Sequence, residues 1–406
     1  MLTFCYHLAA AIEMEFLALM TVYTTAAATN VPCTHALVIG VSRYLHLSGG
    51  ESTSDFGREL EMAQLTSAAR SASDFAAWLI DSYRNSSAPL SSVRILLSPN
   101  FEAEEEVNAN IKGMLTASSE ATRGNAELYF DQFSTSLAKH TENVGVVYFA
   151  GHGVQLTKTG AILLLSDVGD PAHPTELHGS LDLMSLHKSA SHPGTAQTQF
   201  WFADVCRQEP KVAKQFEYMV GSMQRSKKNG HAKSSTMFLS SISGAKAYGR
   251  PDGVTLFNEA LMNGLVSGEA AQSDGEDESP WEVTATSLIE YLSSTVPKKA
   301  RAAGAEQFVE NTGIIENGVL HSMIAAPTVE FEADVSPQAH RGHCTNFNLR
   351  SSSCTHVDSN SDWPFSTFLP AGLYSAAWNT SLSSATSQRQ ALLNVRPPKK
   401  VLSVKP

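Results

Sequence analysis

The hydrophobic pattern alternates between short unbroken apolar runs and longer stretches with helical spacing. Unbroken runs, typical of strands buried on both faces of a parallel sheet, occupy residues 35–41, 93–97, 144–149, 198–206 and 237–242. Apolar residues at helical spacing predict helices over 59–83, 126–139, 177–189, 256–266 and 281–295, and the acids at 102–106 predict another helix start. Strands that alternate with helices indicate an α/β domain with a central, mostly parallel sheet.

The pattern changes from about residue 327. Residues 328–335 and 391–395 alternate between apolar and polar positions, and Pro370-Ala-Gly372 predicts a turn before a further strand. Strands separated by turns, without helices, predict a small β-sandwich. The acidic Gly/Ser-rich residues 267–280 predict a mobile surface loop. We therefore expect an α/β domain over 31–325 and a β-sandwich-like module over 326–406. Residues 1–30 are expected to be a leader, and whether that leader is a signal is left open.

Composition excludes some functions. With 406 residues, 42% hydrophobic and 17% charged, the chain is predicted to be globular and to exceed one average domain. A formal net charge of −11 argues against nucleic acid as a partner, because phosphate binding requires a basic surface. Five widely spaced cysteines are not a disulfide framework and favour a reducing compartment. We expect a cytoplasmic protein.

The N-terminus has one feature of a secretory signal and lacks another. Residues 16–28 are apolar, but Glu13 and Glu15 precede them and no Lys or Arg occurs before Arg43. A secretory signal requires a basic first region, so secretion is not predicted. No other stretch has the ~18 apolar residues of a membrane span, so no membrane partner is predicted.

Candidate chemistry lies where two of the predicted strands end. One strand runs into Gly151-His152-Gly153, and another ends on Asp204 and Cys206. In open α/β sheets, ligands bind at the carboxyl ends of the strands. If the two strands are neighbours, the imidazole can deprotonate the thiol to a nucleophilic thiolate. The alternative is structural, because an isolated cysteine is usually a small buried hydrophobe.

These motifs resemble those of caspase-like peptidases. The resemblance rests on Tyr148-Phe-Ala-Gly-His-Gly153, on Ala203-Asp-Val-Cys-Arg207 and on residues 36–44, which are similar to the family's first strand. Residues 243–249 and 256–261 resemble segments of bacterial members, and the match spans about residues 30–325. The resemblance implies that His152 is the general base and Cys206 the nucleophile, with the amides of Gly153 and Cys206 as oxyanion hole.

Asp204 distinguishes this chain from animal caspases, which carry Gln two positions before the cysteine. Metacaspases carry Asp there and cut after Arg or Lys, because a carboxylate pairs with a cationic side chain. The resemblance thus implies that Asp204 binds substrate; the alternative is that it only caps the strand end. A second pocket acid of metacaspases falls near Ser71, with Asp74 one turn on, and this departure leaves the basic preference open.

Two further groups of residues are candidates for other roles. Arg225, Lys227 and Lys228 follow the cysteine in a basic segment and are possible self-cleavage sites, with a solvated loop as the alternative. The C-terminal part clusters His340, His343, Cys344, Cys354 and His356. Their spacing matches no standard zinc pattern, so no metal is predicted. No other cofactor is predicted, and calcium activation is left open.

The sequence and the resemblance together predict a cysteine endopeptidase that cleaves protein or peptide substrates after Arg or Lys. The likeness to bacterial members suggests regulated proteolysis, with activation of a partner effector protein in defence. Two alternatives stay open: a non-catalytic caspase-like binding scaffold, and a zymogen that needs calcium or a partner.

Overall fold

The structure is a computed structural model that describes residues 22–25, 30–100, 107–155, 160–209, 232–250, 253–274, 279–351, 355–359, 362–381 and 386–406. Within these ranges, no helix combines the length and the apolar character needed to cross a membrane. The chain divides into two compact units. The first comprises Met1–Met262 and Leu292–Leu320, and the second comprises Asn263–Tyr291 and His321–Pro406.

Up to residue 322 the chain contains both strands and helices, and the long strands of the sheet are separated by helices except, in the described residues, between the strand that ends at Val205 and the one that begins at Ser234. The strands are β1 Val22–Thr24, β2 Thr34–Val41, β3 Leu90–Ser98, β4 Val144–Gly151, β5 Gly153–Val154, β6 Ile162–Leu164, β7 Ser180–Asp182, β8 Thr198–Val205, β9 Ser234–Leu239, β10 Glu282–Thr284, β11 Glu310–Ile314 and β12 Val319–Ser322. The helices are α1 Asp55–Glu59, α2 Ala68–Asp81, α3 Ala109–Lys112, α4 Arg123–Leu137, α5 Leu183–Ala190, α6 Leu256–Val266 and α7 Ala285–Ala302, with a 3-10 turn at Ala117–Ser119.

The first unit is built on a seven-stranded sheet in the order β1-β3-β2-β4-β8-β9-β11. The five inner strands are parallel, and the edge strands β1 and β11 are antiparallel. This confirms the predicted α/β class with a mostly parallel sheet. The order of the strands reverses between β2 and β4, because β3 lies on one side of β2 and β4 on the other. Such a reversal opens a crevice at the carboxyl ends of the strands.

Helices cover both faces of the sheet. On one face, Phe75 of α2 stacks on Tyr148 of β4, with ring centroids 4.6 Å apart. On the other face, α4 buries Phe130 and Phe133 in a core shared with Trp201 of β8. The unbroken apolar runs are explained by this arrangement, since side chains on both faces of β2, β4 and β8 are buried.

Three predicted helices begin later than the pattern indicates. The helix predicted from residue 59 begins at Ala68, because Glu61 takes a left-handed φ of 54° and the Leu65 N–H donates to the Ser42 carbonyl at 2.8 Å. The helix predicted from 177 begins at Leu183, after β7. The helix predicted from 281 begins at Ala285, after β10. The acids at 102–106 lie outside the described residues.

The second unit contains the predicted β-sandwich. Its strands are β13 Thr328–Val335, β14 Cys344–Arg350, β15 Thr355–Ser359, β16 Phe365–Pro370, β17 Gly372–Thr380, β18 Ser387–Val395 and β19 Lys399–Val404. They form a sheet in the order β16-β13-β19 and another in the order β15-β14-β17-β18. The alternating residues of β13 place Phe331 in a shared core, where its ring stacks on that of Phe347 with centroids 6.4 Å apart.

We predict that Gly40→Ala destabilises the first unit by about 1–3 kcal/mol, as overpacking of a core does. A Cβ at Gly40 would lie 2.5 Å from the Ala72 Cβ, because α2 packs directly on β2 there. Gly124→Ala in α4 is the matched control, since its Cβ would meet nothing within 4 Å. It should stabilise by roughly 0.5 kcal/mol. Urea unfolding measures both changes, and equal midpoints for the two variants would contradict the packing argument.

Candidate active site

The histidine and the cysteine follow paired ends of neighbouring strands. β4 and β8 run parallel with Gly151 opposite Val205, and His152 and Cys206 are the next residues along each strand. The loop after β2 begins at Ser42 at the same edge of the sheet, where the strand order reverses. The structure therefore brings together, at one edge of the sheet, the two residue types on which the sequence prediction depends.

Contacts from two other segments orient His152. Its backbone N–H donates to the hydroxyl oxygen of Tyr44 at 2.6 Å, and its Nε2 lies 2.7 Å from the carbonyl oxygen of Ala63. A carbonyl oxygen only accepts hydrogen bonds, so Nε2 carries the hydrogen and Nδ1 is the basic nitrogen of the neutral ring. Burial lowers the pKa of His152 below its ordinary value, so the ring is neutral at pH 7.

The thiol of Cys206 is half-buried and lies against Ala247. The Ala247 N–H points at Sγ over 3.2 Å, and the thiol lies 3.5 Å from the Ala247 carbonyl oxygen. Burial raises the pKa of Cys206, the nearby Asp204 raises it further, and the Ala247 N–H and Lys246 lower it. With the thiol pKa raised and that of His152 lowered, both groups are neutral at rest.

Gly153 is required by a close approach of two backbone segments. A Cβ there would lie 2.6 Å from the carbonyl oxygen of Cys206 and 2.8 Å from the Val205 Cβ. The Leu164 N–H donates to the His152 carbonyl at 3.0 Å, so Gly153 and Leu163 form a non-hydrogen-bonded pair of the β5–β6 ladder. The Gly153 N–H consequently points away from β6, and it is a candidate donor to a ligand beside Cys206.

Asp204 lies deeper and is 3% exposed as a residue. Its Oδ2 accepts hydrogen bonds from the hydroxyls of Tyr148, at 3.0 Å, and Thr255. Its Oδ1 has no partner within hydrogen-bond distance among the residues that the structure describes. Burial raises the pKa of Asp204 to about 6, against the lowering effect of hydroxyls from Thr255, Tyr148 and Ser240.

The neighbouring position Ser71 faces the same cluster. Its hydroxyl lies 3.4 Å from that of Thr255 and accepts the Thr255 N–H at 2.9 Å. Asn258 donates to both the Ser71 carbonyl and the Tyr148 hydroxyl at 3.1 Å. Asp74 is half-buried one turn further along α2, where burial raises its pKa and Arg70 lowers it. Ser71, and not an acid, thus stands beside the Asp204 network.

The remaining candidates lie elsewhere. Arg225, Lys227 and Lys228 fall outside the described residues, as do Cys354 and the side chain of His356. His340 and His343 lie in a 3-10 turn with ring centroids 5.9 Å apart, and the buried Cys344 begins β14. Among the residues that the structure describes, no group of three or more His, Cys, Asp or Glu side chains could hold a metal ion.

Sequence reasoning missed Tyr44, Ala63 and Ala247. It also missed Gln64, whose side-chain amide bonds to the main chain of Tyr44. Ala63 and Ala247 contribute main-chain groups, which carry no signal in a sequence. Tyr44 closes the stretch that is similar to the family's first strand, and an aromatic residue just beyond a strand was a usable signal. Gln64 lies in a segment that the hydrophobic pattern assigned to a helix.

We predict that alkylation of Cys206 by iodoacetamide slows about tenfold for each pH unit below the thiol pKa, because only the thiolate reacts. If Cys206 and His152 formed a thiolate–imidazolium pair, the alkylation rate would instead stay constant down to acidic pH. Lys246→Ala should slow the reaction at pH 8, because removal of the positive charge raises the thiol pKa. Lys188→Ala, which removes an exposed lysine of α5, is the control. Mass spectrometry of the Cys206 peptide gives the rate, and equal rates in both variants would contradict the charge effect.

Comparison with known proteins gives distant matches. No family model matches the chain. An uncharacterized protein of Sinorhizobium fredii, y4kE, is 20% identical over 268 residues, which cover 64% of this chain and 74% of that protein. Among solved structures, caspase-1 from Spodoptera frugiperda aligns with a TM-score of 0.40 and 12% identity over 73% of this chain and 95% of that chain.

Proposed function

We propose that this chain is a caspase-like cysteine endopeptidase with His152 as general base and Cys206 as nucleophile. The observation that carries the proposal is the hydrogen bond from Nε2 of His152 to the Ala63 carbonyl. That bond leaves Nδ1 as the basic nitrogen, on a residue that follows the strand paired with the one before Cys206. A base oriented by a third group beside a nucleophile is the arrangement that covalent catalysis requires.

The proposed reaction begins with transfer of the Cys206 thiol proton to Nδ1 of His152. The thiolate adds to the carbonyl carbon of the scissile peptide, and the oxyanion is bound by the N–H groups of Gly153 and Cys206. The imidazolium then donates its proton to the leaving amine as the C–N bond breaks, which leaves a thioester. Water, deprotonated by His152, adds to the thioester carbonyl, and the C–S bond breaks with Cys206 as the leaving thiolate. The thiolate takes the proton back from the imidazolium, and the acid product is released.

Cleavage after Arg or Lys is the proposed specificity. It is supported by Asp204, whose Oδ1 has no hydrogen-bond partner among the described residues and can accept from a guanidinium or ammonium group. The Arg225, Lys227 and Lys228 sites of self-cleavage follow from that specificity and stay a prediction. We also propose that cleavage regulates a partner effector protein, as the resemblance to bacterial members suggests.

A gated zymogen is the second candidate. In its favour, the Cys206 thiol lies between the N–H and the carbonyl of Ala247 and has a raised pKa. In that case, calcium or a partner would have to move residues 243–249 before the thiol reaches the imidazole. A non-catalytic scaffold is the third candidate and predicts no cleavage under any condition.

We predict that the protein releases fluorophore from peptides with Arg or Lys before the cut, and that Cys206→Ala lowers kcat/KM by at least about 1,000-fold. Cys33→Ala, which changes another free buried cysteine, should keep full activity. Cleavage after other residues would contradict the proposed preference for Arg or Lys but would support the peptidase activity. Release only after calcium is added would favour the zymogen. The absence of release from the full chain, with and without calcium, would favour a zymogen gated by a partner or the non-catalytic scaffold over the active peptidase.

We predict that Asp204→Asn lowers kcat/KM for Arg peptides roughly 10- to 100-fold, as expected for a lost charge-assisted hydrogen bond, and affects peptides with an uncharged residue there much less. Because the pKa of Asp204 is raised to about 6, its carboxylate is protonated below that pH. The ratio of the two rates should therefore rise as pH increases through about 6. Asp74→Asn is the control. Equal losses on both peptides would show that Asp204 is only structural.

A further inference from the structure

The side chain of Gln64 joins two segments beside His152. Its Oε1 accepts the Tyr44 N–H at 2.7 Å, and its Nε2 donates to the carbonyl oxygens of Tyr44 at 3.0 Å and Ser48 at 3.1 Å. Gln64 thus pairs with both main-chain groups of Tyr44. Since Gln64 directly follows Ala63, these bonds hold the segment that carries the Ala63 carbonyl against the loop after β2.

Tyr44 contacts His152 in two ways. Its ring lies 4.9 Å from the imidazole, centroid to centroid, at an interplanar angle of 39°. Its hydroxyl oxygen accepts the His152 N–H at 2.6 Å. The tyrosine is fully buried, and a Cβ at Gly151 would lie 2.8 Å from that hydroxyl. Gly151 therefore provides the space in which this hydrogen bond forms.

These contacts form a closed ring of four residues. His152 bonds through its main chain to the Tyr44 hydroxyl, Tyr44 bonds through its main chain to Gln64, and Gln64 is linked covalently to Ala63. The Ala63 carbonyl returns to Nε2 of His152. Both the backbone and the ring of His152 are thereby fixed relative to one rigid group. Deep burial of Tyr44 and three hydrogen bonds from Gln64 make that group resistant to local displacement.

We infer that Tyr44 and Gln64 are positioning residues that hold His152 in its Nε2–H tautomer with Nδ1 free for proton transfer. The inference rests on the proposed function for its catalytic meaning, but the tautomer itself is a property of the resting protein. Neither residue touches the reacting atoms. Loss of Gln64 frees the Ala63 carbonyl to move, and loss of the Tyr44 hydroxyl frees His152 to move. In either case Nε2 loses the acceptor that keeps the hydrogen on that nitrogen.

The test uses the Cys206→Ala variant of the 406-residue chain, which is inactive under the proposed mechanism and cannot cleave itself. Nitrogen-15 NMR of labelled histidine side chains distinguishes the two tautomers, and His152→Gln identifies the signals of His152. We expect a single Nε2–H tautomer in Cys206→Ala. We expect a mixture of tautomers when Gln64→Leu or Tyr44→Phe is added.

Two control variants separate positioning from general loss of stability. Gln197→Leu removes a half-buried glutamine that donates to two carbonyl oxygens far from the site, at 2.9 and 3.3 Å. Tyr83→Phe removes a buried tyrosine hydroxyl that bonds to Thr34 at 2.8 Å. Both should leave the His152 signals unchanged. Unchanged signals in Gln64→Leu and Tyr44→Phe, or equal changes in the controls, would overturn the inference.

A kinetic measurement in the protein with intact Cys206 tests the catalytic meaning separately. Gln64→Leu and Tyr44→Phe should each lower kcat about tenfold and leave KM within about threefold, as expected when only transition-state geometry is lost. Because both act through one ring of contacts, the double variant should lose much less than the product of the single losses. If the tautomer changes as expected but wild type cleaves no peptide, the proposed function fails and the positioning of His152 stands.

Discussion

The parallel pairing of β4 with β8 is the constraint on which the candidate site depends. With Gly151 opposite Val205, the backbone can deliver His152 and Cys206 only to the same edge of the sheet. Gly153 is then forced against the Cys206 carbonyl, and Asp204 is turned toward α2 and the start of α6. One register thus sets the relative positions of an imidazole, a thiol, a main-chain N–H and a buried carboxylate, and a shift of one residue would separate them.

Burial gives this site a neutral resting state. The pKa of the thiol is raised and that of the imidazole is lowered by the same cause, removal from water. Charge separation is therefore unfavourable until something else stabilises it. The Ala247 N–H and Lys246 both lie where they favour a thiolate. A bound substrate that excludes water around them would strengthen both effects.

The framework of the sheet could be predicted because strands buried on both faces require unbroken apolar runs. Such runs are evident in the sequence at β2, β3, β4 and β8. The sequence indicated His152 and Cys206 as candidates because each follows such a run, and their roles stay a prediction. It failed at residues 60–67, where apolar residues continue at helical spacing but the Leu65 N–H donates to the Ser42 carbonyl and the Gln64 side chain bonds to the Tyr44 main chain. Tertiary hydrogen bonds of this kind leave no periodicity in the sequence, so the late start of α2 could not be read from it.

The acceptor for His152 is a peptide carbonyl, and this has a genetic consequence. Every residue type at position 63 supplies the same oxygen, so a scan of single substitutions there would find a tolerant site. A deletion or insertion between Glu61 and Leu65 would move the carbonyl by a whole residue and remove it from Nε2. At position 63, selection would then act on the length and the backbone path of the segment, and comparison of the residue types found there would overlook it.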